Sequence, residues 1–495
     1  MIDHITLILG NQLFNPSLIQ HLTKHPIFMC ESDDLCTHFK YHKLKIVSFL
    51  TAMRDYRDEL KNDNIDCFYH HLNKNSTQNY MDTLTTFCIK HEVKNIHHFD
   101  IEDHFFDQQI SDFCNQHNIK QHIHQTPLFL TSQSDFKTYL NGTKKPFMKT
   151  FYEKQRQSLG ILMDSNNKPV GGQYSFDEDN RKKTPKTITF PDVPTSIQSS
   201  HLTSVKEIVE LKFNDHCGEI NHCWFPTSRK GAHEWLKAFI EQRFQLFGDY
   251  EDAIDNRSDF LFHSTISPLI NCGLLTPKEI LSAIQPYEAS IPINSYEGFV
   301  RQIIGWREFI RGIYHNFDDV QQTSNFFNHQ RKLTNHWYNA TTSILPLDDA
   351  IKQTMKLGYT HHINRLMVIG NIMLMCNIHP QEVYRWFMEC YIDSADWVMG
   401  PNVFGMSQFS DGGIFATKPY ICGSNYIRKM SHYKKGEWCE PMDALYWRFI
   451  ADNVNFFAGN FRMKFMTSKV TSFSKEKLDQ IYNTSNAIIE KISTK

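Results

Sequence analysis

The chain has 495 residues, too many for one hydrophobic core, with 41% apolar and 21% charged residues and a formal net charge of −2. This balance excludes a disordered chain and a basic nucleic-acid binder, so a nucleic-acid partner would meet a local basic patch. No apolar run reaches the roughly 20 residues that span a bilayer, and MIDHITLILG lacks the basic start of a signal peptide, so a cytoplasmic protein with no membrane partner is expected.

Taken in chain order, HITLILG (4–10), PIFMC (26–30), DCFYHH (66–71), NIHHF (95–99) and IKQHIHQ (119–125) read as strands. Amphipathic stretches at 42–62 and 80–92 lie between them. The alternation predicts an α/β domain over 1–130, a doubly wound parallel sheet covered on both faces. LGNQL (9–13) follows the first strand, where such sheets bind ligands, but its single glycine is no dinucleotide fingerprint. Residues 131–230 read as an interdomain linker, turn-rich around GGQYSFDEDNRKKTPKTITFPDVPTS (171–196). Over 231–495 the pattern turns helical. GAHEWLKAFIEQRFQLFGDY, YEGFVRQIIGWREFIRGIYHNF and HPQEVYRWFMECYIDSADWV carry apolar stripes of period 3.6, predicting a large all-α domain.

The twelve cysteines include no C-x-x-C pair and read as reduced, buried thiols. No metal site is encoded at this level, since adjacent histidines on a helix point about 100° apart.

Four segments carry candidate chemistry. In GFVRQIIGWREFIRGIY (298–314), Phe299, Ile303, Trp306, Ile310 and Ile313 form one buried stripe, with Arg301, Gln302, Arg307, Glu308 and Arg311 on the remaining surface. This is either a core helix with salt-bridged edges or one wall of a pocket for an aromatic anion. HSTISPLINCGLL (263–275) offers Ser264, Thr265 and Ser267 before a proline-started helix, a place for phosphate or simply a capped helix start. In YIDSADWVMGPNVFGMSQFSDGG (391–413), Asp393 and Asp396 sit in apolar surroundings and need donors from an arginine, an amide or a ligand. LGYTHHINRLMVIGN (357–371) opens a helix with two histidines, where one satisfied core histidine would explain only half of the pair.

Together with ILGNQL, KPYICGSNYIRKMS (418–431) and ALYW (444–447), these segments resemble the photolyases and cryptochromes, and within them the bacterial (6-4), or iron–sulfur, photolyases. The resemblance runs through nearly the whole chain except its last forty or so residues. It implies FAD in the helical domain, an antenna chromophore in the α/β domain, and light-driven electron donation to a damaged pyrimidine pair flipped out of DNA. Carried over by position, Ser264, Thr265 and Ser267 contact the flavin phosphates, and Tyr250 covers the diphosphate. Gln302 and Arg307 lie beneath the cofactor, and Asp393, Asp396 and Asn402 belong to its binding set, the last two facing the isoalloxazine. Trp306 is the stacking platform for the lesion. A (6-4) product needs a proton as well as an electron, and His362 is the expected donor, with His361 assisting or orienting it. Trp386 is the inner member of the electron-supply chain, and the outer member is Trp337 or Tyr338.

The chain departs from the branch where the cluster cysteines should stand. SILPLDDAI (343–351) has Pro346 at the first position, and KKGEWCEPMDALYW (434–447) keeps only Cys439, so no iron–sulfur cluster is expected. The acidic residues that bind a ribityl-lumazine antenna in the family correspond to Asn11 and about Leu35, leaving Gln12 and Glu31 as candidate contacts and the chromophore's identity open. The expected function is (6-4) photolyase repair of UV-damaged DNA by a monomer. The alternatives are a cryptochrome-type blue-light photoreceptor and a flavoprotein without a light function.

Overall fold

Five strands, β1 (His4–Leu7), β2 (Ile27–Cys30), β3 (Cys67–His70), β4 (Asn95–Phe99) and β5 (Lys120–His124), form one parallel sheet in the order β3-β2-β1-β4-β5. This is the doubly wound arrangement that the strand–helix alternation predicts. The computed structural model describes residues 2–75, 77–194, 198–459 and 463–495, so Thr195 and Ser196 of the turn-rich stretch lie outside the described residues. Ile5, Leu7, Phe28, Cys30 and Ile96 point to one sheet face and meet the helices Tyr80–His91 and His104–Gln116 through Leu84, Phe87, Phe106 and Ile110. On the opposite face Ile27, Met29 and Phe99 belong to the same core as Met53, Tyr56 and Leu60 of the helix Lys43–Asn62. The turn after β1 crosses the sheet edge toward the helical region, where Leu13 N donates to Cys272 O at 2.9 Å.

The stretch predicted as an irregular connector contains three packed helices, Gln133–Asn141, Met148–Leu159 and Leu202–Lys212. A buried charge hides the second of them from pattern reading. Arg156 is fully buried and donates to the carbonyls of Tyr174, Ile161 and Leu162, which interrupts the apolar stripe without exposing the helix.

The remainder is helical, as the period-3.6 stripes predict. One large core joins Trp337, Trp386, Met373, Leu445 and Ile489 across segments distant in sequence. The α/β region is held to it by Glu102, which takes two hydrogen bonds from Arg311 (2.7 and 2.8 Å) and a third contact from His315 (2.7 Å). No described helix is long and apolar enough to cross a membrane.

Candidate functional site

Three of the segments singled out above share a backbone irregularity. Arg301–Trp306, Asn364–Gly370 and Pro401–Ser407 are π-helical turns inserted in longer helices. A π turn widens the helix by one residue and is frequent where side chains must be re-aimed at a ligand. The second and third cross closely, and only glycine fits at the crossing, because a Cβ on Gly370 would lie 2.1 Å from Ser407 Oγ.

One corner of the site is built around Asp393. Its carboxylate takes two hydrogen bonds from Arg365, at 2.9 and 3.2 Å, and one from Ser267 Oγ at 2.7 Å, while its backbone oxygen accepts from Asn271 Nδ2 at 2.8 Å. Asn271 Oδ1 in turn accepts from Arg307 at 2.7 Å. The Arg307 guanidinium lies over the Trp397 and Phe129 rings (4.6 and 4.7 Å), and burial lowers its pKa to about 10. This corner brings together Ser267, Arg307 and Asp393 as the resemblance implies. Arg365 and Asn271 were not singled out, although both stand inside the quoted segments INRLM and INCGLL. Ser264 and Thr265 flank it: Trp235 Nε1 donates to Ser264 O and Thr265 Oγ1, each at 3.1 Å, with Thr265 at φ +53°. The helix Ser267–Asn271 has only five residues, so anion binding here falls to hydroxyls and guanidinium groups rather than to a helix dipole.

The second corner holds the histidines. His361 is buried and stacks on His263 with centroids 5.1 Å apart and planes 12° from parallel. Burial drives both below the ordinary histidine range, His263 to about 3, with the His362 charge adding to the effect. His362 stands edge-on to His263, with half of its side-chain surface open to solvent. Desolvation lowers its pKa, but a 3.4 Å hydrogen bond to Asp252 and the charges of Asp252 and Glu251 outweigh that and raise it. Adjacent histidines are thus pushed in opposite directions, His361 toward the neutral form and His362 toward the protonated one. Gln302 joins this corner by donating to Glu251 at 2.8 Å. Trp306 is half-buried at the end of its π turn, edge-on to Phe309 at 6.3 Å.

Several expected positions fall elsewhere. Asp396 does not reach the Asp393 corner; it lines a cavity of about 520 Å³ with His38, His104, Tyr314 and Tyr384, between the sheet domain and the helices. Burial beside Asp396 raises Asp103 to about 7, and burial lowers Lys45 to about 8. The break at Tyr391–Ala395 turns Asp396 away, since it starts a new helix. Asn402 donates to Val398 O at 2.8 Å, one turn back. Tyr250 packs with Phe262, Ile188 and Phe190 in a small cluster beneath the linker. Arg301, Glu308 and Arg311, on the polar side of their helix, are buried and paired. Glu297 and Glu251 pair with Arg301, the amides of Leu130 and Thr131 bond Glu308, and Glu102 holds Arg311.

Trp386 is fully buried and donates to Trp337 O at 3.2 Å; its ring stands edge-on to Tyr391 at 5.8 Å. Tyr391 lies under the Arg365 guanidinium at 3.9 Å, which links Trp386 to the Asp393 corner. Trp337 is also fully buried, whereas half-buried Tyr338 hydrogen-bonds Glu389 at 2.7 Å. At the end of β1, Asn11 donates to Asp103 at 3.4 Å and Gln12 to Asp100 O at 3.0 Å, and Asn11 Oδ1 and Gln12 Oε1 are buried without a donor. Glu31 is already saturated: Arg54, Tyr69 and Leu72 N occupy both its oxygens at 2.7–2.8 Å.

The orphaned buried atoms mark the space left for a ligand. His263 Nε2, His361 Nδ1 and Arg307 Nε have no partner among the described residues. His361 and Asn364 open on a cavity of about 300 Å³ that Asp255, Ser258 and Gln353 also line. The two corners offer cationic, hydroxylic and aromatic groups of the kinds that an anionic, planar cofactor such as FAD would engage.

Residues 6–225 match the family model for deoxyribodipyrimidine photo-lyase-related proteins. The chain is 32% identical over 487 residues, 93% of its length and 94% of the relative's, to a (6-4) photolyase of Agrobacterium fabrum. Its fold is similar to a bacterial class III photolyase from Agrobacterium tumefaciens (14% identity, TM-score 0.58, 99% of this chain and 98% of that one). It is equally similar to a cryptochrome of Synechocystis sp. PCC6803 (11% identity, TM-score 0.58, 99% of each chain).

Proposed function

Because the chain belongs to the photolyase/cryptochrome family, we propose that it is a light-driven repair enzyme for pyrimidine–pyrimidone (6-4) photoproducts in DNA. The observation that carries this reading is the split histidine pair. Asp252 favours the protonated form of half-exposed His362, the form that can donate, while burial favours the neutral form of His361, stacked on His263. FAD, reduced and excited by light, would supply one electron to the lesion. Ser264, Thr265, Ser267, Arg307, Arg365 and Asp393 would hold it, with Gln302 alongside. Trp306 offers an apolar face on which a flipped base can stack, and His362 then delivers the proton that accompanies return of oxygen to its parent base. Asn11 Oδ1 and Gln12 Oε1 are acceptors suited to the hydroxyls of a ribityl antenna.

Illuminating the purified protein with duplex DNA carrying a single (6-4) or cyclobutane lesion tests the reading. Restored bases from the (6-4) duplex are expected. Photoreduction of the flavin without repair of either lesion would favour a photoreceptor.

Two further outcomes are expected. Trp386→Phe should slow flavin photoreduction at least tenfold yet leave repair by chemically reduced enzyme unchanged, because the Trp386–Tyr391–Arg365 line bypasses the imidazoles. Equal photoreduction rates in variant and parent would remove Trp386 from the path. Elemental analysis after anaerobic purification should find far less than stoichiometric iron and sulfide. Pro346 is buried where a ligand would stand, Leu347 and Trp438 fill the adjoining core, and no three cysteines converge among the described residues.

A further inference from the structure

A second group of histidines lies on the sheet itself, unused by the proposed chemistry. His4 opens β1, His97 lies in β4, and His122 and His124 in β5. The register pairs Thr6 with His97 and His97 with His122, so all four rings share one sheet face. His25, in the turn before β2, closes over them, stacked on His4 at 4.8 Å and on His97 at 4.6 Å. A doubly wound sheet ordinarily carries aliphatic side chains on such a face. Imidazoles take their place here.

The nitrogens converge as well as the rings. His4 Nδ1 is 3.0 Å from His97 Nε2, and one ring nitrogen each of His4, His25 and His97 lies within 4.8 Å of the others. Asp3 Oδ2 stands 3.4 Å from His4 Nε2, on the far side of that ring. Among the described residues the half-buried His25 ring makes no side-chain hydrogen bond to protein, so its coordinating nitrogen has no competing partner.

We propose that His4, His25 and His97 bind a divalent transition-metal ion of the zinc type, with Asp3 orienting His4 and water completing the coordination. Two neutral imidazoles facing each other at 3.0 Å share either one proton or one metal ion, and a third imidazole at the same point favours the metal. Zinc–nitrogen bonds of about 2.0–2.1 Å set tetrahedral ligands about 3.3 Å apart. The His4–His97 pair already meets that spacing, and a ring rotation brings His25 in. Asp3 behind His4 reproduces the carboxylate–histidine–metal arrangement that fixes the ligating tautomer. Three nitrogen ligands exclude magnesium and calcium, which take oxygen. The bound ion would cross-link the start of β1, the turn before β2 and the middle of β4.

The test uses the full-length flavoprotein, stripped with a chelator and dialysed against buffered Zn²⁺. Bound zinc is counted by elemental analysis. One zinc per chain is expected for the parent, and near-complete loss for His4→Ala and His25→Ala, with His25→Gln as a second variant that keeps the turn polar. Asp3→Asn should weaken binding about 10–100-fold. His263, His361 and His362 form another three-nitrogen group, so His362→Ala serves as the control and is expected to bind as the parent does. No zinc at micromolar free metal, or zinc that survives both His25 substitutions, would overturn the proposal.

Discussion

Replacing His362 with alanine should lower (6-4) repair by about 10²–10⁴-fold while leaving flavin content and photoreduction unchanged, the range typical of a lost general acid. The loss can look complete, because an electron that waits for a slow proton returns to its donor. The separation of effects follows from the geometry. His362 stands at the exposed edge of its corner, tied to Asp252, whereas Trp386, Tyr391 and Arg365 form a line on the other side of the 361–365 turn. His361→Ala should behave differently. His361 is buried and stacked on His263, so its loss opens a void and should reduce stability along with repair. Single-turnover repair and flavin photoreduction measured on the same samples check both. Repair by His362→Ala near the parent rate would remove it as proton donor.

Asp393→Ala should be the most damaging substitution away from the histidines. It leaves the largely buried Arg365 without its carboxylate and Ser267 Oγ without its acceptor, and removing one partner of a buried pair costs about 3–5 kcal/mol. Because the same carboxylate holds Ser267 and Arg365 in place, the variant should purify with most of its flavin missing and melt several degrees lower. Asp393→Asn, which keeps the shape and part of the hydrogen bonding, should retain more flavin than Asp393→Ala. Thermal unfolding followed by flavin release, with FAD identified by mass, checks this. Parent-like flavin content in Asp393→Ala would show that the Ser267–Asp393–Arg365 corner holds no cofactor.

The sheet was legible because its strands are short apolar runs separated by amphipathic helices, and each run contains one observed strand. The helical stripes were legible for the same reason of period. What the pattern concealed depends on partners distant in sequence. Arg301, Glu308 and Arg311 read as the polar side of a helix, yet residues 102, 130, 131 and 251 supply partners that no local period reveals, whereas the Glu297–Arg301 pair is local, four residues apart. The π turns leave the apolar spacing almost unchanged, so Arg301–Trp306 reads as ordinary helix. Asp393 and Asp396 are three residues apart and seem equivalent as letters. The non-helical break between them sends one to Arg365 and the other to Tyr384. The double histidine was marked as holding a proton donor by the family resemblance. Which ring carries the charge depends on Asp252, more than a hundred residues earlier.

The pH dependence of single-turnover (6-4) repair by prereduced enzyme, compared between parent and Asp252→Asn, tests this division of charge most directly. In the parent the His362 pKa is raised, so the donor is protonated at low pH and activity should fall as pH rises through that raised value. Without the Asp252 charge and hydrogen bond, desolvation is left less opposed and the pKa drops. The alkaline limb of Asp252→Asn should therefore move to lower pH, with about tenfold less activity above both limbs for each unit of displacement. Superimposable profiles for parent and Asp252→Asn, or a parent profile flat through the histidine range, would contradict the account.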